Sequence, residues 1–190
     1  MIRAAGLSFF VLVVLLTGAC SGRGLEPAPP AVAEVELPAY LGTWYAVARI
    51  PNRFERDCLQ SEARYTLMES GVLKVENSCP TGSGRTKRVE GRAWVVEPSS
   101  KAKLRVGFFS VFGWYPGFTR GDYWVLALGP RNDAGLYTWA LVGEPSRRYG
   151  WVLARTRSLP PEVFAEVWSA ARRAGYEPSV FESLAPPGMP

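Results

Sequence analysis

The chain has 190 residues, of which 47% are apolar and 21% are charged, a balance typical of one globular domain with a substantial core. Its formal net charge of +5 comes from basic residues scattered along the chain, without the block of like charges that favours nucleic-acid binding. The complete lack of histidine excludes Ser-His and Cys-His nucleophilic catalysis and histidine-ligated zinc or haem. We expect no metal, no cofactor and no nucleic-acid partner.

The N-terminal residues 1–19 have the layout of a secretory signal peptide. Their apolar run, residues 7–16, is too short to span a bilayer comfortably. Two small residues then precede Cys20, an arrangement that resembles the lipobox of bacterial lipoproteins, in which the cysteine is acylated and becomes the first mature residue. We therefore expect that Cys20 carries a lipid. The alternative is ordinary signal cleavage beside an incidental cysteine.

The two ends of the mature chain are predicted to lie outside the folded domain. Residues 20–37 comprise the lipidated N-terminus and a segment rich in Pro and Ala without usable periodicity, which predicts a semi-extended tether. Residues 185–190 are predicted to form a loose C-terminal tail. The folded domain is therefore expected over residues 38–184.

Within this domain the dominant pattern is the alternation of apolar and polar residues, which is typical of strands with one buried face. Five such segments succeed one another, at residues 44–50, 59–67, 73–78, 88–95 and 103–108. Three more candidate strands are apolar on both faces or nearly so, at residues 122–128, 136–143 and 150–157. Another element must cover the outer side of these last three strands.

A single helical pattern follows the strands and supplies that cover. Pro161 suits the first helical position and Gly175 suits the stop. One face of this helix carries the apolar residues Val163, Phe164, Val167, Trp168 and Ala171. Eight short antiparallel strands with one covering helix predict an all-β fold, an eight-stranded up-and-down barrel with a C-terminal helix packed outside.

The cysteines predict a disulfide. With Cys20 acylated, Cys58 and Cys79 remain, and an even pair in an oxidising compartment is usually bridged. A turn at residues 69–71 makes the second and third strands a hairpin, with both cysteines at its open ends. The alternative is a pair too far apart to bridge, because the simple register misses by a few residues and needs a bulge.

The alternation also predicts which residues line the barrel and bind a ligand. If Trp44 points inward, strand phase places the following residues on the same surface: Ala46, Ala48, Ile50, Gly91, Ala93, Leu104, Val106 and Phe108. Four of these eight are Gly or Ala, which implies unfilled apolar volume suited to one acyl chain. Basic residues near the mouth, Arg49, Arg53 and Arg56, are expected either to meet an anionic head group or to be merely solvated.

The segment Gly42-Thr43-Trp44-Tyr45 resembles the GxW signature of lipocalins. Arg155 matches the arginine that crosses over that tryptophan, and Tyr137 matches the tyrosine of the turn before the seventh strand. Together with "WVLAL", "YTWALVG" and "WVLARTRSLP", these residues are similar to bacterial outer-membrane lipocalin lipoproteins over about residues 38–183. The barrel topology brings Trp44 and Arg155 together at one end, so we expect Gly42, Trp44, Tyr137 and Arg155 to have structural roles.

The resemblance implies a binding protein, not an enzyme. Its ligand is expected to be a fatty acid or a lysophospholipid, held for storage, transport or repair in the cell envelope. The expected location is the outer membrane, facing the periplasm. The alternatives are an envelope scaffold that binds a protein partner and a lipocalin-type isomerase or de-epoxidase. Aromatic residues in the loop at 109–118 are expected either to touch lipid or to fold over the barrel rim; the oligomeric state is left open.

Overall fold

The computed structural model describes residues 27–110, 112 and 115–184. The predicted signal peptide, the acylation site Cys20 and the predicted tail over 185–190 lie outside the described residues. So do residues 20–26 of the predicted tether, and Trp114 of the aromatic loop.

Eight antiparallel strands pair in chain order and close into a barrel, because the first strand pairs with both the second and the eighth. The predicted eight-stranded up-and-down barrel is confirmed. A ninth strand of two residues pairs with the last two residues of β1, beyond the part of β1 that pairs with β2. The strands are β1 Gly42–Arg49, β2 Glu62–Leu67, β3 Leu73–Pro80, β4 Thr86–Val95, β5 Lys103–Gly107, β6 Arg120–Leu128, β7 Trp139–Gly143, β8 Gly150–Ala154 and β9 Glu182–Ser183.

The first strand changes the face that it presents partway along its length. Trp44 and Ala46 belong to the cluster of side chains inside the barrel. The register with β8 then shifts between Ala46 and Ala48, where a bulge interrupts the alternation. Ala48 and Ile50 consequently pack in a second cluster, outside the barrel. The prediction that these two residues face the interior is wrong, because one extra residue moves the later side chains to the other face.

The second cluster lies between the barrel and the main helix, α2 Pro161–Arg173. Val167, Ala170 and Ala171 are its buried helical residues, and they pack with apolar side chains from the last strands. After the helix, Gly175 adopts φ +77°, a left-handed conformation that suits the C-terminal stop. The helix therefore covers the strands whose sequences are apolar on both faces, as predicted.

After the helix, the chain crosses the outside of the barrel where β7 ends and β8 begins. The Tyr176 hydroxyl lies within 3.1 Å of the Glu144 and Tyr149 carbonyl oxygens. It also accepts the Glu144 backbone N–H. A Cβ atom at Gly143 would lie 2.1 Å from this hydroxyl, so the crossing requires glycine in β7. The crossing delivers β9 to the edge of β1.

Residues 27–36, here called the strap, lie on the barrel instead of forming a free tether. The Val32 N–H donates to the Val125 carbonyl at 2.9 Å, and the Val35 N–H donates to the Ser100 carbonyl at 2.8 Å. Val35 is buried in the interior cluster. The prediction of a tether over residues 20–37 is therefore wrong for residues 27–37, because apolar side chains among the prolines find burial across the closed end of the barrel.

A short helix, α1 Leu37–Tyr40, joins the strap to β1. Two short 3-10 turns complete the described structure, Gly117–Thr119 before β6 and Pro178–Val180 before β9. Within the described residues, no helix is both long and apolar enough to span a bilayer.

Candidate functional site

The barrel has one closed end, where Trp44 is completely buried. Its indole N–H donates to the Tyr40 carbonyl at 2.8 Å. The Arg155 guanidinium lies over the ring, as the lipocalin resemblance implies, and donates to the carbonyl oxygens of Ala39, Thr43 and Tyr137. One arginine thus joins α1, β1 and the β6–β7 turn.

Gly42 provides backbone freedom at this end. Its φ of +92° is one that side-chain-bearing residues rarely adopt, and a Cβ there would lie 3.5 Å from Nη1 of Arg155. The Tyr137 hydroxyl accepts the Glu36 backbone N–H at 3.3 Å, next to the ion pair between Arg131 and Glu36. Gly42, Trp44, Tyr137 and Arg155 therefore all lie at the closed end, where their contacts are structural.

Three tyrosine hydroxyls meet inside the barrel. The Tyr40 and Tyr123 oxygens are 2.6 Å apart, and the Tyr65 hydroxyl donates to Tyr123 at 3.1 Å. Burial raises the pKa of all three phenols, that of Tyr65 to about 12, so each is neutral near pH 7. Sequence reasoning missed this group as a set, although the alternation in β2 places Tyr65 on the interior face.

A cavity of about 10 Å³ lies beside these tyrosines. This volume holds about one water molecule and is too small for an acyl chain. Its walls include the predicted ligand-binding residues Ala93, Leu104 and Val106. The remaining walls come from the strap, α1 and the facing strands: Val35, Leu37, Tyr40, Tyr65, Leu73, Tyr123 and Val125. Beside Ala93, Leu104 and Val106, the described residues therefore leave much less unfilled volume than the small residues predict.

Other side chains occupy the space that the predicted small residues leave. Gly91 lies opposite Val75 on the interior face, and a Cβ there would lie 2.6 Å from the Phe108 ring. Phe108 follows the mouth end of β5 and is 38% exposed, so its ring is only partly buried. Ala46 is buried in the interior cluster but does not line the cavity.

The mouth of the barrel is opposite Trp44 and is covered by the loop between β1 and β2, residues 50–61. The Cys58–Cys79 disulfide ties the end of this loop to β3, with the two Cα atoms 5.5 Å apart, which confirms the predicted pairing. An isolated bridge between Cys58 and Thr81 provides the extra pairing beyond β2 that the simple register lacked.

Glu55 of this loop belongs to no motif or pattern that predicts a role at the mouth. Its carboxylate accepts the Trp151 indole N–H at 2.7 Å and the Asn52 side-chain amide at 2.8 Å. The Ser61 hydroxyl donates to its other oxygen. Its side chain is only 17% exposed. Glu55 therefore holds the loop down over the mouth.

The three arginines expected at the mouth fall into two groups. Arg53 and Arg56 are exposed on the loop. Arg49 is buried, donates from Nε to Glu182 at 2.6 Å and from Nη2 to the Cys58 carbonyl at 3.0 Å. Arg49 is therefore a buried cation, whereas Arg53 and Arg56 are solvated.

Exposed aromatic side chains surround the mouth. Phe54, Phe109 and Phe112 are exposed, Phe112 fully. Tyr115 instead packs edge-on against Trp94, and the Arg120 guanidinium lies over the Trp94 ring. The aromatic loop is thus divided between side chains folded onto the barrel and side chains directed to solvent.

A barrel closed by a buried tryptophan and an arginine, with one external helix and an apolar interior, defines a lipocalin-type binding barrel. A family model for the lipocalin-like domain matches residues 35–186. The chain is 34% identical over 193 residues to the outer membrane lipoprotein Blc of Escherichia coli K12, covering 99% of this chain and 97% of the relative. The chain belongs to the lipocalin family.

Two further comparisons agree with this assignment. Apolipoprotein D of Oryctolagus cuniculus is 35% identical over 154 residues, covering 80% of this chain and 77% of that protein. Insecticyanin from Manduca sexta superposes with a TM-score of 0.64 at 19% identity over 85% of this chain and 86% of its own, which shows the shared fold. Relatives named outer membrane lipoproteins support an outer-membrane location, and family membership supports hydrophobic-ligand binding.

Proposed function

We propose that the protein binds a fatty acid or a lysophospholipid and serves lipid storage, transport or repair in the cell envelope. The observation that carries this proposal is the apolar barrel interior, closed below by Trp44 and covered above by a loop. Because the cavity holds only about 10 Å³, a ligand enters when the β1–β2 loop and the side chains beneath it give way.

The expected affinity follows from the size of an acyl chain. Burial of about a dozen methylenes at about 0.8 kcal/mol each gives roughly 10 kcal/mol. Immobilising the ligand and displacing the side chains that now fill the barrel reduce this to about micromolar affinity. The predicted interior residues Ala46, Gly91, Ala93, Leu104, Val106 and Phe108 are the proposed contacts.

Native mass spectrometry of protein purified from its own host tests the ligand. Co-purified fatty acid or lysophospholipid at one copy per chain supports the proposal. A stoichiometric protein partner with no lipid supports the scaffold alternative, for which the exposed Phe109 and Phe112 argue. Titration with a fluorescent fatty acid gives a second readout that does not depend on what survives purification.

We also propose that Cys20 is acylated and anchors the domain to the outer membrane, with the barrel in the periplasm. The motif before Cys20 and the relatives named outer membrane lipoproteins support this anchor. Since Pro27 already contacts Arg147 on the β7–β8 loop, the connection from Cys20 has seven residue steps, about 25 Å at full extension. Cys20→Ser should move the protein out of the membrane fraction, whereas unchanged fractionation would contradict the anchor.

A further inference from the structure

The Glu55 carboxylate lies at the mouth end of the barrel, between the loop that carries it and β8. Three donors converge on it, the Trp151 indole, the Asn52 amide and the Ser61 hydroxyl. Trp151 packs against the interior cluster, and Tyr65 of the same interior is close enough for the Glu55 charge to add to the burial that raises its pKa. Glu55 thus reaches from a surface loop into the top of the barrel.

Arg49 supplies a positive charge beside this carboxylate. It pairs with Trp151 across β1 and β8, and directly opposed residues in antiparallel strands share a face, so Arg49 lies on the interior side. Arg49 is 5% exposed, and its Nη1 is 3.8 Å from Oε1 of Glu55. Among the described residues, this Nη1 has no hydrogen-bond partner.

A buried guanidinium nitrogen without a partner is costly, so its position calls for an acceptor. Glu55 provides charge at 3.8 Å but no hydrogen bond. Arginine, indole and hydroxyl groups are all donors suited to a carboxylate. The bulge that turns Ala48 outward is also what turns Arg49 inward, so the local geometry of β1 creates this environment.

We propose that Arg49, Ser61 and Trp151 form a binding site for the anionic head group of the ligand, a carboxylate, and that Glu55 occupies this site until the ligand displaces it. This inference rests on the proposed lipid-binding function. Glu55 is an internal competitor at high effective concentration, because a short loop carries it. Its departure frees the head-group site and opens the mouth in a single movement.

The test compares a charged probe with its neutral counterpart, dansylaminoundecanoic acid and its methyl ester, on the mature full chain. Glu55→Gln keeps the shape of the side chain but removes its charge. This variant should bind the acid about tenfold more tightly relative to the ester than the parent does. Arg49→Gln should weaken acid binding about tenfold and leave ester binding nearly unchanged.

Matched controls come from the same loop. Asp57→Asn and Arg56→Gln remove exposed charges near the site, and they should leave the ratio of acid to ester affinity unchanged. If Arg49→Gln does not fold, the Glu55→Gln comparison alone decides, because Glu55 is partly exposed in a loop.

Equal gains for acid and ester in Glu55→Gln would mean that Glu55 acts only as a lid, and would overturn the head-group site. Unchanged affinities for both probes in Glu55→Gln would overturn it as well. In either case lipid binding itself stands. If neither probe binds the parent or any variant, the proposed lipid-binding function fails together with the site.

Discussion

Arg155 covers Trp44 with its guanidinium carbon 3.8 Å from the ring centre, while the same group donates to three backbone carbonyls at 2.8 to 3.1 Å. Trp44→Ala should lower the free energy of unfolding by about 3–5 kcal/mol, because it empties a fully buried site. Arg155→Ala should cost about 3 kcal/mol through the lost hydrogen bonds and ring contact.

Urea unfolding of both variants measures these costs. Arg105→Ala is the control, because Arg105 is exposed and only reaches Asp122 at 3.4 Å. If Trp44→Ala or Arg155→Ala unfolds like the parent yet loses fatty-acid binding, the structural role of that residue is wrong.

The Cys58–Cys79 disulfide should stabilise the fold mainly by restricting the unfolded chain. Its cysteines are 21 residues apart, so a Cys58→Ser, Cys79→Ser double variant should lose roughly 3 kcal/mol of unfolding free energy. Urea denaturation measures the loss. The parent in excess reductant should match the double variant, and identical stability with and without reductant would contradict this contribution.

Two buried alanines distinguish the barrel interior from the helix interface. Ala93 lines the cavity and Ala48 lies in the outer cluster. Ala93→Val should weaken fatty-acid binding about tenfold by filling the little space available. Ala48→Val should lower the free energy of unfolding by about 1–3 kcal/mol and leave the affinity of the folded protein unchanged.

Fluorescence titration and thermal unfolding of both alanine variants provide the comparison. Undiminished binding in Ala93→Val would show that the ligand does not use the region around this cavity. A large affinity change in Ala48→Val would contradict its placement outside the barrel.

The buried tyrosines should make stability fall at high pH. Burial raises the pKa of Tyr65 from 10.0 to about 12 in the folded state. The raised value favours the neutral folded form, so its stabilising contribution is complete below pH 10 and is lost as the pH rises from 10 through 12. Two pKa units correspond to about 3 kcal/mol.

Unfolding free energies of the parent and Tyr65→Phe between pH 9 and 12 test this linkage. The parent should lose about 2 kcal/mol more than the variant across that range, because only the parent carries the Tyr65 phenol. Parallel declines in both proteins would show that Tyr65 ionises as easily in the folded state as in the unfolded one.

Much of this fold was predictable because local patterns specify it. The alternation in β4 and β5 correctly placed Ala93, Leu104 and Val106 inside, and the spacing of the helix predicted its buried face. The alternation failed at Ala48, because consecutive apolar residues in β1 fit either phase and a bulge is decided by contacts with β8.

The candidate site was less predictable, because its contacts join residues distant in sequence. Glu55 looks like an ordinary loop acid until β8 brings Trp151, 96 residues away, to its side chain. Arg49 could be placed near the mouth, but its burial depends on β9 and the loop together. The Pro-rich strap concealed Val35 in the same way, since its burial arises only once the barrel exists to receive it.

Around the bulge, the eight-residue strand β1 contributes side chains both to the barrel interior and to the interface with the helix. Substitutions at Ala46 change the barrel interior, whereas substitutions at Val47 or Ala48, where the bulge lies, change the packing against the helix. Neighbouring positions in the chain are therefore subject to independent selection. A substitution in this strand can therefore alter the barrel interior without loosening the helix, and the reverse change is available one residue away.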